Sequence, residues 1–280
     1  MIPVIDVHCH VYPAAIAEKA AAAVAAFYRV RRGDGVADLA GLPEVLAREC
    51  VGTYNVIHSV ATVPHQVEDV NRFVASVAAR DDRFLAFGTL HPDSEPDEMA
   101  RQIAQIRDLG LKGIKLHPDM QGFAMDSPAC YDMVEACAGR FLLLLHTGDT
   151  RYARSNPEQL MPLLERFPET TFIGAHMAGY TCWEHAGEVL AGKYRNLYVD
   201  ISSTMFALTP ERTAALVRAY GADRVLFGSD FPMWHPRGEL ERFLALPLTK
   251  EEQDAILYDN AARLLGLPPR GKIEKGRPQK

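Results

Sequence analysis

The sequence is poor in cysteine and has no excess of positive charge, and each shortage excludes a class of protein. Its five cysteines are scattered and form no C-x-x-C pair, which argues against a disulfide scaffold and indicates reduced thiols. Acidic residues outnumber basic residues by 36 to 30 and the formal net charge is -6. This charge balance does not predict a nucleic-acid or anionic-membrane partner. We therefore expect a small-molecule partner.

Long hydrophobic runs are also lacking. The longest strongly apolar run, residues 141–145, is far shorter than the roughly 20 residues of a transmembrane helix. Histidines stand near the amino terminus, where a signal peptide would be apolar. These absences predict a cytoplasmic protein.

Short apolar segments alternate with longer amphipathic ones along most of the chain. Parallel strands that are buried on both faces read as continuous apolar runs, and the amphipathic segments between them have helical spacing. We predict eight strands, at residues 4–7, 56–62, 84–90, 113–117, 142–147, 171–176, 197–201 and 225–230. Helices are predicted at 67–79, 97–109, 127–138, 157–167, 210–220 and 238–246. This order is typical of an α/β protein.

Polar side chains at the strand ends favour a closed barrel over an open sheet. Nearly every predicted strand ends in a histidine, lysine or aspartate, and barrel enzymes place their chemistry at the carboxyl ends of their strands. An open doubly wound sheet usually carries a glycine-rich phosphate loop, which this sequence lacks. We therefore predict a single-domain (β/α)8 TIM barrel.

Three segments stand outside the strand and helix repeat. Residues 13–51, whose first part at 14–30 is helical, are too long for a simple crossover and predict an inserted segment that covers the barrel mouth as a lid. Residues 249–265 predict a carboxyl-terminal closing helix with a capped start. The barrel domain would then span 1–269. The tail 270–280 has five basic residues and one acidic residue, and we predict that it is disordered.

Four of the strand-end residues can form a metal site. His8 and His10 are two residues apart at the end of strand one, so their side chains point to the same face. In a closed barrel, strand one neighbours strand eight and faces strand five across the mouth, so Asp230 and His146 can converge with this pair. Histidine and carboxylate ligands with an open water position are typical of a catalytic metal site.

The strand-end motifs resemble those of the amidohydrolase superfamily of metal-dependent barrel hydrolases. The resemblance covers nearly the whole chain, through IDVHCH at 5–10, GIKLHP at 113–118, HTG at 146–148, GAHMAG at 174–179, FGSDFP at 227–232 and NAARLLGL at 260–267. Within the superfamily, the chain is most similar to the branch that contains aminocarboxymuconate-semialdehyde decarboxylase.

The resemblance implies that His8, His10, His146 and Asp230 bind the metal and that His176 acts on substrate or water. On this interpretation the metal-bound water is hydroxide at neutral pH, Asp230 transfers its proton, and His176 polarises the substrate carbonyl or aligns the nucleophile. The alternative is that His176 is itself a ligand, which would imply a second ion. We expect one divalent ion and place zinc first, although manganese, iron and cobalt also suit these ligands.

Lys115 has two explanations if it lies inside the barrel. Some members of the superfamily carboxylate a lysine of strand four to bridge two metal ions, so a second ion would be held if Lys115 were carboxylated. Otherwise an unmodified Lys115 would pair with Asp6, because an unpaired buried ammonium is costly. We favour the unmodified lysine and a single ion. His117 is a candidate substrate contact or a cap of the following loop.

Residues near the strand ends provide further candidate contacts. Trp234 would line the pocket or pack between helices. Arg151 and Arg237 would anchor a substrate carboxylate or form surface ion pairs. Asp200 would orient a ligand histidine or cap a loop, and we interpret His58 as structural.

The constellation predicts an enzyme. Our first prediction is hydrolysis of a small amide, lactone or ester carbonyl by metal-bound hydroxide. The alternative is non-oxidative decarboxylation of an aromatic or unsaturated carboxylate, because the same residues serve both reactions. The acidic charge disfavours a metal-dependent nuclease, and nothing in the motifs supports a non-catalytic binding barrel. The sequence is compatible with a homodimer.

Overall fold

The fold is built on eight parallel strands that follow one another in chain order. The computed structural model describes residues 2–29 and 41–272. Within these ranges the strand order is β1 to β8, and every adjacent pair is parallel. The strands are β1 (Ile5–His10), β2 (Tyr54–His58), β3 (Phe84–Gly88), β4 (Gly113–Leu116), β5 (Leu142–Leu145), β6 (Phe172–Gly174), β7 (Leu197–Asp200) and β8 (Val225–Leu226).

Helices alternate with the strands and form the outer layer, which confirms the predicted single-domain TIM barrel. They are α1 (Ala17–Tyr28), α2 (Pro43–Glu49), α3 (Val67–Ala78), α4 (Pro96–Asp108), α5 (Pro118–Gln121), α6 (Pro128–Cys137), α7 (Pro157–Arg166), α8 (Trp183–Leu190), α9 (Pro210–Tyr220), α10 (Pro236–Leu244), α11 (Lys250–Asp254) and α12 (Asn260–Leu265). Sequence periodicity did not predict α2, α5 or α8.

Hydrogen bonds between β1 and the chain that follows β8 close the barrel. Val7 N donates to Phe227 O at 2.9 Å, and His10 N donates to Phe231 O at 2.7 Å. We call this contact the β1–β8 seam. It brings the carboxyl end of β1 against the segment that carries Asp230.

Apolar side chains fill the barrel, and the carboxyl-terminal helix closes its amino-terminal end. Tyr258 packs in one buried cluster with inward-facing strand residues, which include Ile5, Val7, Val56, Phe87, Leu144, Ile173, Tyr198 and Leu226. The predicted closing helix is confirmed, although a π-helical turn at Ala255–Asp259 joins α11 to α12. Thr249 and Glu252 form the predicted capping box at its start.

Several strands end at residues other than those predicted. β1 continues past residue 7 to His10, whereas β6 ends at Gly174 and β8 ends at Leu226. His176 and Asp230 therefore lie beyond their strands, and their φ angles of 58° and 59° fall in the left-handed region that ordinary residues seldom adopt. The backbone leaves strand geometry at the points where it presents these two side chains.

A β-bulge in β1 changes the face to which its side chains point. The register against β2 shifts between Asp6 and Cys9, so β1 accommodates one extra residue. Val7 packs in the barrel interior, and after the bulge His8 and His10 also face inward. Strict alternation, which would place Asp6 on the face of both histidines, therefore fails here.

The inserted segment supplies α1 and α2, and residues of α1 line a cavity at the barrel mouth. Residues 30–40 of this insert, and residues 273–280 of the tail that we predict to be disordered, lie outside the described residues. Across residues 2–29 and 41–272, no helix has the length and apolar character needed to cross a bilayer. The cytoplasmic location stays a prediction.

We expect Leu144→Ala to lower the free energy of unfolding by about 2–5 kcal/mol, because the substitution leaves a void in the barrel interior. Leu109→Ala is the matched control: Leu109 is 38% exposed, and its loss should change stability by less than about 0.5 kcal/mol. Denaturant-induced unfolding of both variants measures the difference. Equal losses would contradict this description of the core.

Candidate metal centre

His8, His10 and Asp230 bring three potential ligand atoms together at the carboxyl end of the barrel. His8 Nε2 lies 3.2 Å from His10 Nε2. Asp230 Oδ1 lies 3.4 Å from His8 Nε2 and 3.5 Å from His10 Nε2. Ligand atoms bound at about 2.1 Å around a tetrahedral ion would be roughly 3.4 Å apart. The donor atoms and their spacing therefore fit a divalent cation.

Two residues behind the cluster fix the orientation of His8. Its Nδ1–H donates to Asp200 Oδ2 at 2.9 Å, which leaves the lone pair of Nε2 directed at the cluster. Ser202 Oγ donates to Asp200 Oδ1 and lies 3.1 Å from His8 Nδ1. A carboxylate that accepts from the far nitrogen is a usual support of a histidine ligand. Asp200 Oδ1 also accepts from Ser202 N at 3.0 Å, so the structure matches both alternatives for Asp200, the orienting role and the loop cap.

Burial determines the charge of the site. Desolvation lowers the pKa of His8, His10, His117 and His146, which favours neutral imidazoles whose lone pairs can bind a cation. Burial by itself would raise the pKa of Asp230, but the neighbouring histidines outweigh this and the net shift is downward. Neutral imidazoles and an ionised carboxylate are the protonation states that a metal requires.

Lys115 is fully buried beside the cluster. Its Nζ lies 3.3 Å from His8 Nε2, and burial lowers its pKa to about 8 against the attraction of two aspartates. The alternative in which it pairs with Asp6 is wrong. Asp6 Oδ1 instead accepts from the backbone N–H groups of His8 and Ser229 at 3.1 and 2.9 Å, because the bulge in β1 turns Asp6 away from the interior.

His146 reaches the cluster through His176. His146 Nδ1 lies 3.1 Å from His176 Nε2, and the rings of His176 and His8 stack with centroids 5.1 Å apart. On its other side, His146 Nε2 lies 3.1 Å from the hydroxyl of Tyr28. The structure thus brings His8, His10 and Asp230 together, whereas the ring of His176 lies between His146 and this cluster. The role of His146 as a ligand stays a prediction.

A left-handed turn presents His176 to the site. The φ angles across His176–Ala178 are 58°, 55° and 56°, and such conformations cost on the order of 1–3 kcal/mol each for residues other than glycine. Asp200 Oδ1 accepts from His176 N at 3.2 Å. His176 Nδ1 donates to Ser202 O at 3.0 Å, which directs Nε2 toward His146. Backbone strain of this kind is found mainly at functional sites, where the surrounding structure maintains it.

His58, which we interpret as structural from the sequence, is a neighbour of the cluster. Its side chain is fully buried, and neither ring nitrogen has a hydrogen-bond partner in the part of the chain that the structure describes. One of its nitrogens lies within 4.8 Å of ligand atoms of His8 and His10. The predicted second strand runs from 56 to 62 and so has His58 in its interior, whereas β2 ends at His58. A correct strand end is the signal that would have identified it.

A cavity of about 270 Å³ opens beside the cluster. Its lining combines polar site residues with aromatic ones, namely His10, His117, His146, His176 and Asp230 in the first group and Tyr12, Tyr28, Tyr180, Phe206 and Trp234 in the second. Cavities that bind drug-sized ligands have volumes of roughly 300–1,000 Å³. This one fits a smaller ligand.

The predicted substrate contacts fall into two groups. Trp234 and His117 line the cavity, and His117 Nδ1 also accepts from a backbone N–H of α5, so it caps that helix as well. Arg151 and Arg237 are not among the lining residues that the structure describes. Arg151 is paired with Asp149, and Arg237 lies exposed near the start of α10.

A parallel eight-stranded barrel with imidazoles and a carboxylate clustered at the carboxyl ends of its strands defines a metal-binding barrel enzyme. The sequence profile of the amidohydrolase family matches residues 5–267. The chain therefore belongs to the amidohydrolase family, as its motifs indicated.

Similar proteins of known name include decarboxylases. The chain is 27% identical over 240 residues to a gamma-resorcylate decarboxylase of Rhizobium radiobacter. The match covers 69% of this chain and 73% of that protein. A solved structure of an uncharacterised TIM-barrel protein of Bordetella bronchiseptica is similar with a TM-score of 0.75, 23% identity and coverage of 94% of this chain and 98% of that one. A dihydroxybenzoic acid decarboxylase of Polaromonas sp. JS666, with bound manganese and the inhibitor 2-nitroresorcinol, has a TM-score of 0.67, 16% identity and coverage of 98% and 99%. At these identities the solved structures establish the fold.

These comparisons correct the predicted reaction. Hydrolysis is the first prediction from the sequence, whereas the similar proteins from Rhizobium radiobacter and Polaromonas are decarboxylases. The prediction of hydrolysis is therefore wrong. The error has a physical reason. A cation held by imidazoles and a carboxylate can bind either a carbonyl or a carboxylate of the substrate, so the ligand motifs do not distinguish hydrolysis from decarboxylation.

We expect Asp200→Asn to weaken metal binding about 10- to 100-fold, because the amide is a poorer acceptor for His8 Nδ1–H and no longer fixes that ring. Competition with a chromophoric chelator measures the affinity. Asp223→Asn is the control, since the side chain of Asp223 is 71% exposed. Equal affinity in the wild type and Asp200→Asn would show that Asp200 does not support a ligand.

Proposed function

We propose that the chain is a metal-dependent decarboxylase that releases CO2 from a small aromatic carboxylate without oxidation. The observation that carries the proposal is the cluster of His8, His10 and Asp230 beside a cavity with aromatic walls. The similarity to gamma-resorcylate decarboxylase supports the choice of reaction.

In this proposal His8, His10, His146 and Asp230 hold one divalent cation, and Lys115 is unmodified. When bound, the cation would act as a Lewis acid that binds and polarises oxygen atoms of the substrate. Imidazole and carboxylate ligands suit zinc and manganese alike, and the Polaromonas relative contains manganese. We therefore propose zinc or manganese as the resident ion.

Decarboxylation breaks the bond between the ring carbon and the carboxylate carbon, and the electron pair stays on the ring carbon. One proton must then reach that carbon as CO2 leaves. His176 and Asp230 both line the cavity, so we assign substrate alignment and proton transfer to them. The Nδ1–H of His176 is engaged by Ser202 O, so Nε2 is the nitrogen that would carry the proton.

The cavity walls suit a planar substrate. Phe206 and Trp234 stack with centroids 4.7 Å apart and an angle of 25° between their planes. Aromatic rings favour such offset stacks and edge-to-face contacts, so an aromatic substrate would extend packing that is already present. The small cavity favours a single-ring substrate.

We expect the metal-loaded protein to release labelled CO2 from carboxyl-labelled 2,6-dihydroxybenzoate and to place deuterium on the product ring in deuterated water. His176→Asn should lower kcat about 10²- to 10⁴-fold, because it removes an acid–base group, while metal content stays unchanged. His185→Asn is the control, since His185 has a side chain that is 49% exposed.

Two results would contradict the proposal. Product that contains oxygen from labelled water, formed without CO2, would identify hydrolysis. An unchanged kcat in His176→Asn would remove His176 from the reaction.

A further inference from the structure

One face of α1 forms a wall of the cavity. Ile16, Ala20, Val24 and Tyr28 all line it, and their spacing of four residues places them along one side of the helix. Ile16 is 49% exposed, although it is a large apolar residue next to the site. An isolated helix of this length is marginal in water, so tertiary contacts must hold α1 in place.

Arg151 fastens the carboxyl-terminal end of α1. Its Nη1 donates to Phe27 O at 2.7 Å, one of the last carbonyls of the helix, which have no acceptor role within it. A cation is also favourable at this end of a helix dipole. The guanidinium lies 5.2 Å from the ring centroid of Phe27 and 5.8 Å from that of Tyr28.

Asp149 holds Arg151 in turn. Asp149 Oδ1 accepts from Nε at 2.8 Å and Oδ2 accepts from Nη2 at 2.6 Å, a two-bond geometry that only a guanidinium can provide. The Asp149 side chain is 1% exposed. The ring of Tyr152 stacks on Phe27 at 5.5 Å. The loop that follows β5 therefore supplies both His146 and the anchor of α1.

This anchor places the Tyr28 hydroxyl inside the site. The hydroxyl lies 2.5 Å from His117 Nε2 and 3.1 Å from His146 Nε2. The Tyr28 ring packs edge-to-face on Tyr180 at 5.1 Å. The rings of His117 and His146 stack on each other with centroids 4.0 Å apart, and Tyr28 lines the cavity together with them. A phenol in this position can also reach a ligand in that cavity.

We propose that Tyr28 contacts the substrate and selects rings that carry a polar substituent, and that Arg151 is a positioning residue that holds Tyr28 over the site by fastening α1. The inference rests on the proposed function for the identity of the ligand. The sequence predicts Arg151 to be a carboxylate anchor or a partner in a surface ion pair, whereas this inference makes it a support of α1.

Hydrogen exchange tests the fastening of α1 without any activity measurement. Arg151→Gln should speed exchange in residues 17–28, because the bonds to Asp149 and Phe27 O are lost. Arg151→Lys should give exchange rates in α1 between those of the wild type and Arg151→Gln, because an ammonium cannot form the same paired bonds. Arg166→Gln is the control: Arg166 also packs on an aromatic ring, that of Tyr131 at 5.1 Å, but at the end of α7. Unchanged exchange of α1 in Arg151→Gln would overturn the positioning role.

Binding of 2,6-dihydroxybenzoate and benzoate to the metal-loaded protein tests the contact of Tyr28. Tyr28→Phe should weaken the binding of 2,6-dihydroxybenzoate about tenfold, because one hydrogen bond is lost. The affinity for benzoate should not change. Arg151→Gln should raise KM for dihydroxybenzoate more than it lowers kcat. An unchanged ratio of the two affinities in Tyr28→Phe would overturn the proposal.

The two proposals fail in different ways. Suppose that the wild type releases no CO2 but Tyr28→Phe still lowers the affinity for 2,6-dihydroxybenzoate relative to that for benzoate. The proposed reaction is then wrong, and the contact of Tyr28 stands. If the wild type decarboxylates and the ratio does not change, the reaction stands and the role of Tyr28 is wrong.

Discussion

The site depends on the β1–β8 seam. The backbone bonds from Val7 to Phe227 and from His10 to Phe231 join segments that stand at opposite ends of the barrel sequence. Asp6 adds to the seam, because its Oδ1 accepts from the backbone N–H groups of His8 and Ser229. These bonds hold two histidines and one carboxylate within 3.5 Å of one another, an arrangement that no local segment of the chain could produce.

Burial gives this arrangement its chemistry. An ionised carboxylate and several imidazoles that share a desolvated space would be costly without a compensating charge. Asp200 and Ser202 offset part of the cost by binding the far nitrogens of His8 and His176. The ring nitrogens of His58 have no such partner among the described residues, whereas His8 Nε2 lies 3.3 Å from Lys115 Nζ and Asp230 Oδ2 accepts from Ser203 Oγ. A cation would satisfy the lone pairs that it can reach. The desolvated, electron-rich end of the barrel is thus suited to a metal ion.

Much of the fold could be predicted from the sequence, because buried parallel strands have a plain apolar pattern and the strand-end rule locates His8, His10, His176 and Asp230. Four features could not. The bulge in β1 depends on its pairing with β2, so alternation misplaced Asp6. The contacts of Tyr28 and Ser202 join residues far apart in the chain, and neither has a local signal. The reaction could not be predicted because the ligand types are common to both chemistries, and the position of His58 could not because the apolar pattern of the second strand continues to residue 62, past the end of β2 at His58.

The central claim is that His8, His10 and Asp230 share one cation. Anomalous diffraction from crystals of protein purified without chelator tests it most directly. The account predicts a single metal peak at about 2.0–2.2 Å from His8 Nε2, His10 Nε2 and a carboxylate oxygen of Asp230. Metal-saturated crystals in which these three groups bind no ion would contradict it.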